Sequence, residues 1–290
     1  MPRDVWFYRD QNGVEYTLND NVIVFLHDVQ GHDGAAVSSA GDRYPYQQGE
    51  EFREGSQYAG PIDVAFLMRL MHDTYGDAEA FADAYLRNLN PFKGQGQGRL
   101  RRRRPDGTDR ALDCIRAAGT FKRDGPASGD VYLRFHGKYP FWYDPTQHEE
   151  IFGLMGDAGI AFPITFPITF GVADIDASAD TVNDGDIPAW PTIKVLGPGT
   201  NPTVDNDTTG KVMAITQVLD TGDYITIDMK EAVVWFYDAT DGSTTQINDS
   251  ISAASEFWQL QPGVNSVHVT MADTTSGSVE LWYTVYYLKA

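Results

Sequence analysis

Five arginines crowd into residues 99–104, just before a Pro-Asp-Gly turn at residues 105–107. In a strand, alternation places Arg99, Arg101 and Arg103 on one face and the other two on the opposite face. Guanidinium groups pair with carboxylates in a fixed bidentate geometry, so such a face suits an acidic neighbouring protein. A solvated hairpin and a nucleic-acid contact are the alternatives, and the second is disfavoured because no aromatic residues are interleaved with the arginines.

We therefore expect an interface with a neighbouring protein at this hairpin. The candidate residues are Arg99, Arg101, Arg103, Arg104 and Asp106.

Tryptophans near the end of the chain are a second group with a chemical use, since an indole can stack on a sugar ring. Trp190 and Trp282 are the candidates for weak sugar stacking. Trp235 and Trp258 lie in segments rich in apolar residues, and packing in a core is the commoner fate of such side chains.

Residues that could hold a metal or perform catalysis lack the necessary spacing. The segment from Asp205 to Gly210 resembles the start of a calcium loop, but its twelfth position is Thr216 instead of a bidentate glutamate, which favours a turn. Cys114 is the one cysteine, has no Cys-x-x-Cys partner, and is expected to be a small buried hydrophobe. No histidine pair has zinc spacing, and no phosphate-binding or nucleophile-elbow motif occurs. We expect no catalytic residue, metal or cofactor.

Charged residues are distributed unequally between the two halves of the sequence. Residues 1–145 carry 18 Lys and Arg against 21 Asp and Glu, a balance of −3, while residues 146–290 carry 4 against 20, a balance of −16. A surface that negative repels nucleic acid and anionic membranes. No stretch of about 18 apolar residues occurs, and the start of the chain lacks an apolar signal segment. We expect a protein made in soluble form, with no membrane insertion and no specific nucleic acid.

The periodicity of the first half predicts strands, one short helix and a long hairpin. Alternation from Ile62 to Leu70 is typical of a half-buried strand. Ala78, Phe81, Tyr85 and Leu89 follow at helical spacing, and Asn90-Pro91 would end that helix. The glycines at 94–98 suggest a flexible tip ahead of the arginine strand, and a return strand follows the turn.

The second half predicts a β-sandwich made of short strands. Val267, Val269 and Met271 share one face of a strand, and alternation continues from Ser278 to Tyr287. Residues 161–171 contain two prolines, which favours an edge strand. The resulting division is a front domain of residues 1–145 and a rear domain of residues 146–290.

The order of these landmarks resembles the distal tail protein (Dit) family of long, non-contractile-tailed bacteriophages. The segments that carry the resemblance are Phe-Trp-Tyr-Asp-Pro at 141–145, Phe-Pro-Ile-Thr-Phe-Pro at 162–167, Gly-Pro-Gly-Thr-Asn-Pro at 197–202, Asn-Asp-Thr-Thr-Gly at 206–210, Gly-Asp-Tyr-Ile-Thr-Ile-Asp at 222–228 and Phe-Trp-Gln-Leu-Gln-Pro-Gly-Val-Asn at 257–265. The front domain contributes the arginine hairpin and one helix.

The resemblance implies a mainly β fold in two domains. The front one is a β-sandwich or split barrel that forms a ring, with one short helix and a long hairpin, and the rear one is a galectin-like antiparallel β-sandwich. It also implies a homohexameric hub without enzymatic activity at the distal end of the tail of a virion, made in the host cytoplasm. The implied partners are the tail tube protein, tail-tip and receptor-binding proteins, and the tape measure protein as a further candidate. With these partners, the arginine hairpin becomes the candidate contact between subunits or with the tube.

Two other functions stay open from the residues alone. The aromatic residues near the end of the chain allow a carbohydrate-binding adhesin or lectin-like module, and the abundant carboxylates allow a polysaccharide hydrolase with a paired acid and base. The hydrolase is the weaker of the two, because most acidic residues lie in or beside turns.

Overall fold

The computed structural model describes residues 4–20, 23–33, 37–42, 51–72, 75–90, 92, 97–125, 127–153 and 173–290. The chain divides into a front unit, residues 1–145 with 287–290, and a rear unit, residues 146–286. The sequence placed residues 287–290 in the rear domain, whereas the structure places them in the front unit. The edge strand expected at residues 161–171 lies outside the described residues.

The front unit combines strands with one helix. These are β1 (Val5–Arg9), β2 (Glu15–Thr17), β3 (Val24–Gln30), β4 (Val37–Asp42), β5 (Glu51–Ala59), β6 (Ile62–Met71), α1 (Tyr75–Asn88), β7 (Gly98–Arg103), β8 (Asp109–Arg123), β9 (Ser128–Gly137) and β10 (Trp142–Tyr143).

One long antiparallel sheet, in the order β2-β1-β7-β8-β9-β6-β3, builds the front unit. Strand β8 serves both halves of this sheet, because its first part pairs with β7 and its second part with β9. The halves bury their apolar sides in one core, where the ring of Trp6 meets Phe66 at 4.9 Å and that of Tyr8 meets Phe135 at 5.0 Å. The two end strands, β2 and β3, are not paired with each other in the described residues, so the sheet does not close.

Helix α1 packs on this core with the face that the sequence predicted. Ala78, Tyr85 and Leu89 are buried, and the Tyr85 hydroxyl donates a hydrogen bond to the Leu18 carbonyl oxygen at 2.9 Å. The spacing of three and four residues is what brings these side chains to one side of the helix.

The rear unit contains the remaining strands. They are β11 (His148–Gly153), β12 (Ala173–Asn183), β13 (Thr192–Leu196), β14 (Gly199–Asn206), β15 (Lys211–Ala214), β16 (Val218–Leu219), β17 (Tyr224–Asp228), β18 (Val233–Asp238), β19 (Ser243–Gln246), β20 (Gly263–Thr274), β21 (Ser278–Tyr283) and β22 (Tyr286–Tyr287), the last of which spans the division between the units.

Two antiparallel sheets form this unit, in the orders β11-β21-β13-β17-β18-β19 and β12-β20-β14-β15. The alternation that predicted buried faces is confirmed: Val267, Val269 and Met271 are buried on β20, and Val279, Leu281 and Tyr283 are buried on β21. The Tyr283 hydroxyl links the sheets by donating to the Val182 carbonyl oxygen at 2.9 Å. The mainly β fold with one helix among the described residues is therefore the one expected.

Two boundaries differ from those predicted. The final alternating segment is divided into β21 and β22, because the chain leaves the sheet after Tyr283. Gly98 belongs to strand β7 instead of a flexible tip, and it lies opposite Cys114 of β8. Composition alone suggested flexibility there, but the packing of Gly98 against Tyr8 selects glycine for its small size.

Candidate interaction surfaces

The arginine hairpin forms β7 and the start of β8, and its charged side chains cover the outer side of the front sheet. Leu100 is buried, and Arg99, Arg101 and Arg103 project to the other side, as strand alternation requires. The arginine face, as we call it, consists of Arg9, Glu15, Arg99, Arg101, Arg103, Asp109 and Asp113.

Each arginine of β7 on this face meets a carboxylate of a neighbouring strand. Arg99 Nε lies 3.0 Å from Asp113 Oδ1. Arg101 reaches Glu15 at 2.6 Å and Asp109 at 3.1 Å. The charge-assisted hydrogen bonds fix the direction of the guanidinium planes.

The carboxylates keep these guanidiniums charged. Hydrogen bonding to Asp109 raises the pKa of Arg103 above its usual value. Burial opposes the charge of Arg99, but the hydrogen bonds and charges of Asp113 and Tyr143 outweigh burial, and the pKa of Arg99 is also raised. Arg99 and Arg103 therefore keep their positive charge at neutral pH.

Arg104 and Asp106 lie away from the arginine face. The Arg104 guanidinium donates to the Ala290 carbonyl oxygen at 2.6 Å, and Arg102 donates to the same oxygen at 2.7 Å. Asp106 accepts hydrogen bonds from the amide and hydroxyl of Thr108, at 2.9 and 2.7 Å, and these lower its pKa. The structure thus brings Arg99, Arg101 and Arg103 together and separates Arg104 and Asp106 from them.

Arg9 is the arginine of this face that the sequence did not reveal, and the carboxylates Glu15, Asp109 and Asp113 were not foreseen either. Arg9 lies on β1 directly opposite Arg99 of β7, an arrangement that places two positive charges side by side and is unfavourable by itself. Arg9, Glu15, Arg99 and Arg101 line a pocket of about 230 Å³ with Pro145. Only strand register brings Arg9 there, and nothing in the sequence around Arg9 fixes that register.

The two tryptophans proposed for sugar stacking lie in the rear unit. Trp282 is on the outer side of β21, between buried Leu281 and Tyr283, and is directly opposite Thr192 of β13. Trp190 precedes that threonine by two residues and is 36% exposed. Trp235, which the sequence assigned to packing, is 40% exposed on β18.

Cys114 and the turn at residues 205–210, which the sequence also singled out, have surroundings that favour a structural role. Cys114 is buried, and burial raises the pKa of its thiol far above the usual range, which disfavours a thiolate. In the turn at 205–210 the Asn206 side chain accepts a hydrogen bond from the Thr209 amide at 3.2 Å, and Gly210 has a positive φ of 68°.

The described residues contain no group of three or more His, Cys, Asp or Glu side chains placed to hold a metal ion. Nor does any helix in that part of the chain have the length and hydropathy to cross a membrane.

Comparison with known proteins relates the chain to phage tails. Residues 184–287 match the model of the family described as siphovirus-type tail component, C-terminal domain. The crystal structure of the Dit (gp 19.1) protein of SPP1, described as a paradigm of the hub adsorption apparatus in phages infecting Gram-positive hosts, shares the fold. It has a TM-score of 0.65 and 15% identity, and the alignment covers 99% of this chain and 100% of that one.

A chain from the phage P2 baseplate in its activated conformation with Ca aligns over 98% of both chains, with 10% identity and a TM-score of 0.46. No curated protein sequence matches the chain.

Proposed function

We propose that this chain is a structural protein of a phage tail, the hub at its distal end. The single observation that supports this best is the family match over residues 184–287. The fold shared with SPP1 Dit over 99% of the chain agrees with it. In this role the chain acts in the virion as a joint, without catalysis, after synthesis in the host cytoplasm.

The hub is a homohexameric ring built through a head-to-tail interface. In such a ring the surface that each subunit offers differs from the one that it contacts, so complementary charges can set the orientation. The arginine face provides one side of that contact. It carries four arginines and three carboxylates, and Arg9 and Arg99 lie side by side on it. A carboxylate from the next subunit, placed in the pocket that Arg9 and Arg99 line, would relieve their repulsion.

The other partners follow from the position of a hub. The ring joins the tail tube protein and the tape measure protein on one side and the tip and receptor-binding proteins on the other. The rear unit is strongly acidic, since residues 146–286 have 3 basic and 20 acidic residues, a net charge of −17. We expect this negative charge to repel nucleic acid.

Light scattering behind a gel-filtration column tests the ring directly. We expect a particle of six chains of 32.2 kDa each, about 190 kDa, or a smaller species that joins tails assembled without this chain. A monomer that fails to bind such tails would contradict the hub function.

Charge reversal tests the arginine face separately. The double change Arg9→Glu with Arg99→Glu should lower the particle mass, because it places two carboxylates where the neighbour's carboxylate would bind. Arg123→Glu is the matched control, since Arg123 is an exposed arginine that pairs with Glu79 instead. Unchanged mass in the double variant would assign the ring contact to another surface and leave the hub function standing.

A further inference from the structure

The outer side of the six-stranded sheet in the rear unit combines aromatic and polar side chains in a regular grid. In its middle row, strand register places Glu280 opposite Lys194, and Thr226 opposite Trp235. Gln246 of β19 lies opposite Trp235 on its other side and completes the row. Ile151 of β11 lies opposite Glu280 at the other end of the row, so that four polar side chains, one tryptophan and one isoleucine cross the sheet in a single line.

Aromatic rings flank this row on both sides. Trp282 belongs to the row on one side, where it lies opposite Thr192. Tyr224 and Tyr237 belong to the row on the other side, where their rings stack at 4.6 Å with an angle of 19° between planes. The Lys194 ammonium group lies 4.6 Å from the centre of the Tyr224 ring, so that it links the polar row to this flanking row.

The polar groups of this row have unused hydrogen-bonding capacity. The side chains of Glu280, Thr226 and Gln246 make no hydrogen bond or ion pair to another described residue, and neither do the indole nitrogens of Trp235 and Trp282. Asp228, at the end of β17 in the same sheet, differs from them, because its carboxylate accepts hydrogen bonds from the amides of Lys230 and Glu231 at 2.9 Å.

From this combination we infer that the face binds an uncharged oligosaccharide. Pyranose rings present C–H groups that pack on the faces of indole rings, and their hydroxyls donate to and accept from carboxylate, hydroxyl, amide and ammonium groups. Trp235 and Trp282 supply the rings, and Glu280, Thr226, Lys194 and Gln246 supply the polar partners. This inference is independent of the hub function, because it concerns the rear unit alone.

Charge selects the class of saccharide. The residues from 146 to 290 carry a balance of −16, with 4 basic and 20 acidic side chains, so phosphorylated or sulfated polymers are repelled. A neutral glycan meets no such barrier.

A protein partner fits this face less well than a sugar does. The centre of a protein interface is depleted in charged residues and rich in apolar contact, whereas here Lys194 and Glu280 lie in the middle of the grid. Among the described residues of this sheet face, one aliphatic side chain is strongly exposed. It is Ile151, 64% exposed, and it lies on the edge strand β11.

Native gel electrophoresis of the full chain in gels containing soluble polysaccharides tests the inference. The probes are dextran, glycogen, mannan, arabinoxylan and hydroxyethyl cellulose, with dextran sulfate as the anionic comparison. We expect retardation by at least one neutral polymer and none by dextran sulfate. Trp235→Ala and Trp282→Ala should each weaken the binding about tenfold through loss of ring stacking.

Three further variants separate recognition from folding. Thr226→Val removes one hydroxyl with little change of shape, and Glu280→Gln removes a charge. Both variants should bind severalfold more weakly, while their melting temperatures should equal that of the unmodified chain. Tyr132→Ala is the matched control, because Tyr132 is a 39% exposed aromatic on the front unit, and its retardation should equal that of the unmodified chain.

Several results would overturn the inference. Absence of retardation by all five neutral polymers would do so, as would retardation that the tryptophan variants leave unchanged. Capture of a tail protein that Trp235→Ala and Trp282→Ala abolish, without polysaccharide binding, would identify the face as a protein-binding surface instead.

Discussion

Three fully buried asparagines hold the turns of the rear unit: Asn183, Asn206 and Asn265. Asn265 accepts a hydrogen bond from the Gln261 amide at 2.8 Å and donates to the Gln261 and Gly263 carbonyl oxygens at 2.7 and 3.1 Å. A carboxamide can donate and accept at once, which neither an apolar side chain nor a carboxylate can do. The sequence marks Asn265 as the end of a signature, yet it does not show that this side chain is buried.

His268 is the residue at which pH should act on stability. Its Nε2 lies 2.7 Å from Asp176 on β12, and its Nδ1 lies 4.0 Å from Asp205 on β14. The hydrogen bond that His268 donates to the Asp176 carboxylate raises the pKa of His268, and the charges of Asp205 and Asp207 act in the same direction. Because the pKa is higher in the folded than in the unfolded chain, the pair stabilises fully below the unfolded value of about 6.5, and this stabilisation is lost as pH rises through the folded value.

Asp176→Asn should therefore reduce the free energy of unfolding at pH 6 and have little effect at pH 9. Urea unfolding at the two pH values measures this difference, which is small because both side chains contact solvent. Asp180→Asn is the matched control, since Asp180 is an exposed aspartate on the same strand, opposite Ser266. An equal loss of stability at both pH values in Asp176→Asn would contradict the role assigned to His268.

At the scale of elements, the pairing of β1 with β7 depends on one small residue. A side chain at Gly98 would collide with the Tyr8 hydroxyl and would lie 2.7 Å from the Arg9 carbonyl oxygen. Gly98→Ala should lower the free energy of unfolding by about 2 kcal/mol, because an extra carbon in a packed site forces its neighbours to move. Gly60→Ala is the control, since nothing lies within 4 Å of a carbon added there. Guanidinium chloride unfolding compares the two, and equal stabilities would show that Tyr8 can move aside.

The elements themselves could largely be predicted from the sequence, because alternation and helical spacing are local. Strand β6 and the buried face of α1 appear where the periodicity placed them. The arginine face could be predicted only in part: alternation along β7 separates Arg101 from Arg102, but the meeting of Arg9 with Arg99 depends on the register between β1 and β7. Register is set by the packing of distant residues, such as Trp6 on Phe66, and no local pattern encodes it.

At the scale of the whole molecule, residues 287–290 belong to the front unit although they follow the rear unit in sequence. Arg102 and Arg104 both donate to the Ala290 carbonyl oxygen, and the Arg110 guanidinium lies 3.4 Å from the centre of the Tyr287 ring. The Ala290 amide donates a hydrogen bond to the backbone carbonyl oxygen of His32 at 2.9 Å. Several independent contacts therefore fasten this short segment.

Hydrogen–deuterium exchange tests that fastening in the full chain. The double change Arg102→Ala with Arg104→Ala should accelerate exchange of the amides in residues 287–290, because the carbonyl of Ala290 loses both donors. Arg103→Ala is the control, since Arg103 pairs with Asp109 on the opposite side of the strand. Equal exchange in the two variants would mean that the remaining contacts suffice.

The return of the chain to the front unit has a consequence for how such proteins diversify. Between residues 145 and 287 the rear unit is an insertion, with two junctions instead of one. Recombination that exchanged it for another module would have to cross over twice and rejoin both ends in frame. A single crossover would deliver a new rear module and also replace the segment that Arg102 and Arg104 hold, so that hybrids of this kind would begin with a weakened front unit.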